Sequence, residues 1–178
     1  GYYAAMTPEE REFRIHPKVM PVLRRKGPGG MHVWALPSGG VLGRVVMYRK
    51  DLLDAHGIPY PKNDWTWEDF YEICKKVTDP GQGIYGTLYP IGFMESWYWV
   101  TYLWSAGGEV IEYDEATDQW TAVYNSKAGV LALDFYNRLC NEVWYDKEGR
   151  KRYGYVMRET TDSSRKWEMG QVALNTTY

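Results

Sequence analysis

Between Thr66 and Val77 the apolar residues Trp67, Phe70, Tyr71, Cys74 and Val77 recur at i, i+3, i+4, i+7 and i+10, while Glu68, Asp69, Glu72, Lys75 and Lys76 fill the positions between them. That period predicts a helix with one buried face. Thr66 is placed as its N-cap, Asp69 makes a shortened capping box, and Asp79-Pro80-Gly81 ends it. A second helix is predicted from the Ser126 cap to about Val143, with Ala128, Leu131, Ala132, Phe135 and Leu139 inward and an Asp134–Arg138 pair outward. Shorter helices are expected after the Thr7-Pro8-Glu9-Glu10 start signal, over Arg49–His56 with Gly57 as its C-terminal stop, and from Ser163 or Ser164 through Met169. Glu95–Ala106 reads as a helix rich in aromatics, ended by Gly107-Gly108.

β-Branched and aromatic runs predict strands at Met31–Leu36, Val41–Tyr48, Ile84–Leu88 and Val172–Thr176. Glu109–Tyr113 and Gln119–Tyr124 flank the polar turn Asp114–Asp118 and read as a hairpin. Gly27-Pro28-Gly29-Gly30, Ser38-Gly39-Gly40 and the charged stretch Asp146–Arg158 read as loops. Strands alternating with helices, with one hairpin inserted, predict an α/β fold with a partly parallel sheet.

Composition narrows the function classes. The 178 residues carry 21 Lys+Arg against 23 Asp+Glu, a net charge of −2, which leaves no electrostatic footprint for nucleic acid or an anionic membrane. The length fits one domain, or one domain and part of another. No apolar run approaches the roughly 18–20 residues of a membrane-spanning helix. The chain opens Gly-Tyr-Tyr rather than with Met, which is expected of a processed or internal segment. Sixteen Tyr and nine Trp stand against four Phe, a bias towards rings with a polar tip that suits half-wet surfaces such as ligand clefts and also the rim of a core. Cys74 and Cys140, far apart and each within a helical apolar pattern, read as buried free thiols.

The usual catalytic and cofactor signatures are absent. His16, His32 and His56 are isolated, so no metal site is predicted. There is no nucleophile elbow around Ser105, no phosphate-binding glycine motif, and no calcium loop at Asp114–Asp118. Asn175-Thr176-Thr177 matches a glycosylation sequon and equally a strand end. No cofactor is expected.

Four segments in order carry a resemblance. They are Tyr48-Arg49-Lys50-Asp51-Leu52-Leu53-Asp54-Ala55-His56-Gly57-Ile58; Trp65-Thr66-Trp67-Glu68-Asp69-Phe70, followed by Tyr85-Gly86; Leu103-Trp104-Ser105-Ala106-Gly107-Gly108-Glu109; and Ala132-Leu133-Asp134-Phe135, followed by Trp167-Glu168-Met169-Gly170-Gln171-Val172-Ala173-Leu174. The succession resembles the extracellular solute-binding proteins of ABC importers, in the sugar-capturing family that includes the maltose-binding protein. Arg49 stands where the family usually has Asn, His56 is an extra residue, and Gln171 replaces the usual Lys.

The resemblance implies a two-lobed, periplasmic-binding-protein-like (type II) α/β protein of which this chain holds mostly the second lobe. Residues 1–31 would be the tail of the first lobe, 32–37 a hinge-crossing strand, and 38–178 most of the second lobe. The implied function is non-enzymatic: capture of a sugar or oligosaccharide between the lobes and delivery to the permease subunits of an ABC transporter. The implied location is extracytoplasmic, periplasmic or lipid-anchored at the cell surface. In such sugar binders the start of the helix ending in Gly-Gly faces the ligand, which points here to Glu95, Ser96, Trp97 and Tyr98. Ser38, Gly39 and Gly40, after the hinge, and Asn175, Thr177 and Tyr178, where the chain returns to the cleft, complete the implied contacts. Two other readings stay open: a glycoside-acting enzyme with paired carboxylates in an aromatic cleft, and a protein-interaction module with a Tyr/Trp surface.

Overall fold

The structure is a computed structural model and describes residues 2–37, 44–89, 92, 95–158 and 163–177. The chain divides into two compact units, Gly1–Gly43 with Tyr178, and Arg44–Thr177.

The first unit is small. Helix α1 (Tyr2–Ala5) is followed by α2 (Pro8–Arg14), whose start matches the sequence signal. Thr7 Oγ1 accepts the Glu10 N–H at 3.2 Å, and Glu10 Oε2 accepts the Thr7 N–H at 2.9 Å, a complete capping box with Pro8 in the first turn. A 3₁₀ turn (Pro17–Val19) and α3 (Met20–Leu23) lead into β1 (Arg24–Gly27), which pairs antiparallel with β2 (Gly30–Val33). The Gly27–Gly30 turn is therefore a hairpin loop, and the strand expected over Met31–Leu36 ends at Val33. The basic run Arg24-Arg25-Lys26 carries no strand signal of its own; only its ladder with β2 makes it one.

The second unit is built on a sheet in the order β3 (Val45–Tyr48), β10 (Val172–Thr177), β4 (Tyr85–Tyr89), β9 (Val156–Arg158). β10 runs antiparallel to β3 and parallel to β4, and β4 runs parallel to β9. This is the partly parallel sheet that the sequence predicts, with the last strand of the chain in its interior. Between these strands lie α4 (Lys50–Ala55), α5 (Trp67–Val77), α6 (Glu95–Ser105), the hairpin of β5 (Ile111–Asp114) and β6 (Gln119–Ala122), α7 (Lys127–Asn141), the hairpin of β7 (Val143–Tyr145) and β8 (Lys151–Tyr153), and α8 (Ser163–Glu168).

Helix α5 shows how sequence becomes packing. Thr66 Oγ1 accepts the Asp69 N–H and the Asp69 carboxylate accepts the Thr66 N–H at 2.7 Å, closing the box. Phe70, Tyr71, Ile73, Cys74 and Val77 are buried, and the first and last turns carry acids and bases in the order the helix dipole favours. Thr66→Ala should cost about 1 kcal/mol of stability, seen as a lower urea midpoint at unchanged slope. The core joins this face to Leu53, Tyr89, Leu103, Leu139, Tyr155 and Leu174, and both cysteines are buried free thiols.

Three sequence expectations need correction. Leu131 is 55% exposed, although its neighbours Gly129, Ala132, Leu139 and Cys140 are buried. At 3.6 residues per turn it lies about 130° from the middle of that stripe. Arg138 does not pair along its own helix with Asp134; it donates two bonds to Glu68 of α5, at 2.8 and 3.1 Å. A fork-shaped guanidinium across from a carboxylate on the neighbouring helix gives a better geometry than an i,i+4 neighbour. The stretch Asp146–Arg158, expected as a loop, contains β8 and β9. These strands are three residues long and rich in charge, too short for a period to show.

Asp146 holds the β7–β8 turn. Its Oδ1 accepts the Arg150 N–H at 2.8 Å and the Glu148 N–H at 3.1 Å, and its Oδ2 accepts from Nε of Arg150 at 2.9 Å and of Arg152 at 2.8 Å. Burial works against its charge, but the Arg150 N–H and the two guanidinium groups outweigh that and hold the carboxyl well below the ordinary range. A depressed pKa gives stability that is present above the unfolded value, about 3.9, and is lost as pH falls towards the folded one. Acid titration below about pH 4 should therefore loosen this turn, and Asp146→Asn should remove that part of the pH dependence. Hydrogen exchange at the Arg150 amide would check both.

Candidate functional site

In a sheet of this kind, ligands gather beyond the C-terminal ends of the parallel strands, where the following helices begin. Here β4 ends at Tyr89 beside Arg158, the last residue of β9, and Thr177 of β10 lies opposite Val45 of β3. Helix α6 follows β4 and starts at this edge with Glu95.

Glu95 is held on two sides. Tyr136 of α7 donates its hydroxyl to Oε1 at 2.8 Å, and Arg158 donates to the same oxygen. Burial opposes ionisation of Glu95, but the Tyr136 hydroxyl and the Arg158 guanidinium outweigh it and keep the carboxyl below its usual range. Burial and the Glu95 carboxylate together push the Tyr136 hydroxyl far up, so it stays a donor. Behind it the Tyr136 ring stacks on Tyr89 at 5.4 Å, and the Tyr89 and Tyr102 hydroxyls share a buried hydrogen bond. The support of the carboxylate is thus a packed column of aromatics.

The rest of the first turn of α6 is more open. Ser96 is exposed, and Trp97 is 50% exposed. Tyr98 turns inward, with its ring 4.8 Å from that of Tyr89 and the Arg44 guanidinium 4.3 Å above it. Arg44 also donates to the Trp97 carbonyl at 2.6 Å and to Thr101 Oγ1 at 3.3 Å, tying α6 to the start of β3. On that side lies a cavity of about 620 Å³ lined by Arg44, Val46, Trp65, Thr66, Trp67, Phe70, Thr101, Ser105 and Thr176. Aromatic walls with a few hydroxyls and one guanidinium suit an amphipathic small molecule.

The site residues expected from sequence divide accordingly. Glu95, Ser96, Trp97 and Tyr98 come together at the sheet edge, Tyr98 as a packing residue. Asn175 is half-buried opposite Met47, while its neighbour Thr176 lines the cavity, as strand alternation requires. Thr177 ends β10 at the edge. Ser38, Gly39, Gly40 and Tyr178 lie outside the described residues. Sequence reasoning missed Arg158, Tyr136 and Arg44. Tyr136 had a usable signal, since it shares the α7 stripe with Ala132 and Cys140. Arg158 and Arg44 become visible only once their strands are in register. Among the described residues no group of three or more His, Cys, Asp or Glu could hold a metal ion, and no helix is long and apolar enough to cross a membrane.

The profile of the bacterial extracellular solute-binding proteins matches residues 16–164. The chain belongs to that family. Solved solute-binding proteins share its fold. One from Agrobacterium radiobacter K84, in complex with ribitol, is 24% identical at TM-score 0.59, covering 95% of this chain and 38% of that one. Maltose-bound MalE3 of T. maritima is 22% identical at TM-score 0.58, covering 95% of this chain and 40% of that one. The ABC substrate-binding protein Lmo0181 of Listeria monocytogenes, in complex with cycloalternan, is 24% identical at TM-score 0.57, covering 75% and 31%. The chain therefore spans between 31 and 40% of the length of those structures. No curated protein matches it.

Proposed function

We propose that residues 38–178 form most of the second lobe of a two-lobed solute-binding protein, with residues 1–31 the tail of the first lobe and 32–37 the crossing between them. The C-terminal edge of its sheet is one wall of a cleft that captures a sugar, oligosaccharide or polyol and hands it to the permease of an ABC importer. The protein works outside the cytoplasmic membrane, free in a periplasm or tethered by a lipid, and does no chemistry on its cargo.

The observation that carries this reading is the pairing of an anchored acceptor with an open aromatic at one helix start. Glu95 is fixed by Tyr136 and Arg158, and Trp97 is 50% exposed two residues on. A sugar offers hydroxyls that need a fixed acceptor and a C–H face that stacks on an indole. The groups touching Glu95 are a guanidinium and a phenol, which suit a hydrogen-bond acceptor better than one member of a hydrolytic acid pair. The ribitol, maltose and cycloalternan complexes of its structural relatives favour the same solute class.

A ligand touching both lobes would favour the closed arrangement, a hinge-type population shift. One lobe alone holds one wall and should bind weakly. Calorimetric titration of the intact protein against a panel of sugars and polyols tests the reading. Saturable binding without turnover is expected; hydrolysis of a glycoside, or no binding across the panel, would overturn it.

A further inference from the structure

We propose that Arg158 sets the charge selectivity of the Glu95 site: by pairing with the carboxylate it leaves this part of the wall without net charge, so uncharged solutes are taken and cationic ones refused. The inference rests on the solute-binding reading above.

Glu95 is partly open, with its side chain 27% exposed, and Arg158 is 44% exposed, so both charges are accessible from solvent. A bare carboxylate there would attract an ammonium group, because opposite charges at contact distance in a partly desolvated site interact favourably. Arg158 removes that pull because it is delivered to contact by the sheet itself: the Tyr89–Arg158 register places it at the strand end beside the start of α6. The other guanidinium of this edge, Arg44, is committed to the Trp97 carbonyl, Thr101 Oγ1 and the Tyr98 face, whereas Arg158 donates directly to Glu95 Oε1. Arg158 is therefore the cation in contact with the Glu95 carboxylate. Tyr136 supplies a donor and no charge, so it fixes the carboxylate without altering this balance.

The test uses the intact protein and four probes: glucose and maltose as uncharged solutes, glucosamine as the cation and glucuronate as the anion, each titrated by calorimetry. The wild type should prefer the uncharged probes over glucosamine by about tenfold or more. Arg158→Gln should shift the glucosamine-to-glucose affinity ratio towards the cation by about tenfold, and Glu95→Gln should shift the glucuronate-to-glucose ratio towards the anion by a similar factor. Arg158→Lys, which keeps the charge and loses the fork, should retain the wild-type ratios. Thermal melts report whether each variant is folded; should Arg158→Gln fail to fold, the Glu95→Gln and Arg158→Lys ratios decide. Unchanged ratios in folded variants that still bind an uncharged sugar would overturn the selectivity role and leave the solute-binding reading intact. A wild type that takes glucosamine as well as glucose would do the same. No binding of any probe by the wild type would overturn the solute-binding reading itself.

Discussion

Glu95→Ala in the intact protein is expected to weaken sugar binding by roughly 30- to 150-fold, the equivalent of about 2–3 kcal/mol for a charge-assisted hydrogen bond. The loss has two parts. The solute loses its acceptor, and Arg158 and Tyr136, both of which now donate to Glu95 Oε1, are left facing the cleft without it. Trp97→Ala should cost less, about 0.5–1.5 kcal/mol for the ring contact beyond its buried area. Tyr136→Phe separates the two functions of the network. It keeps the ring stack on Tyr89 at 5.4 Å while removing the donor to Glu95. Its binding loss should therefore be smaller than that of Glu95→Ala, with the fold unchanged. Isothermal calorimetry on the three variants gives the ranking, and equal effects from all three would mean general disruption of the helix start.

Gly86→Ala is expected to be strongly damaging to the second unit. A Cβ at residue 86 would lie 2.2 Å from Cys74 Cα and 2.3 Å from Cys74 Cβ. The obstacle is main chain, so no side-chain rotation relieves it, and α5 must move off β4. That opens the face that buries Phe70, Cys74 and Val77. Overpacking of this kind costs up to about 3 kcal/mol and occasionally more, a large share of a total stability of about 5–15 kcal/mol. The melting temperature should fall by about 6–12 °C. Cys74→Ala in the same chain should not rescue it, because the Cα remains. Thermal denaturation followed by circular dichroism measures both variants, and recovery in the double variant would show that the sulfur, not the backbone, sets the spacing.

How far the sequence led can be traced through particular residues. The α5 face, the Thr7, Thr66 and Ser126 caps and the Gly57, Gly107 and Gly170 stops lie within a turn or two of the residues they control, and each is found in the structure. β10 was legible as a strand but not as an interior one, because its partners β3 and β4 are distant in sequence. β1, β8 and β9 were not legible. Each is three or four residues long with charged members, and each exists through a ladder with another segment.

The candidate site follows the same rule. Glu95 and Trp97 were reachable through the family-like segment Leu103–Glu109, which closes the helix they begin. Arg158 sits 63 residues further on, and nothing local marks it; β9 delivers it. Arg44 reaches the Trp97 carbonyl across 53 residues in the same way. The residues that present a chemical group could be read from the chain, whereas those that hold the group in place needed the sheet.

If the C-terminal edge of this sheet is a wall of the solute site, a bound sugar must touch it. The most direct measurement is a crystal structure of the intact protein with a sugar bound. The sugar is expected over this edge, with a hydroxyl within hydrogen-bond distance of Glu95 and a ring face against Trp97. A sugar held at the opposite edge of the sheet, or on a surface remote from α6, would contradict it.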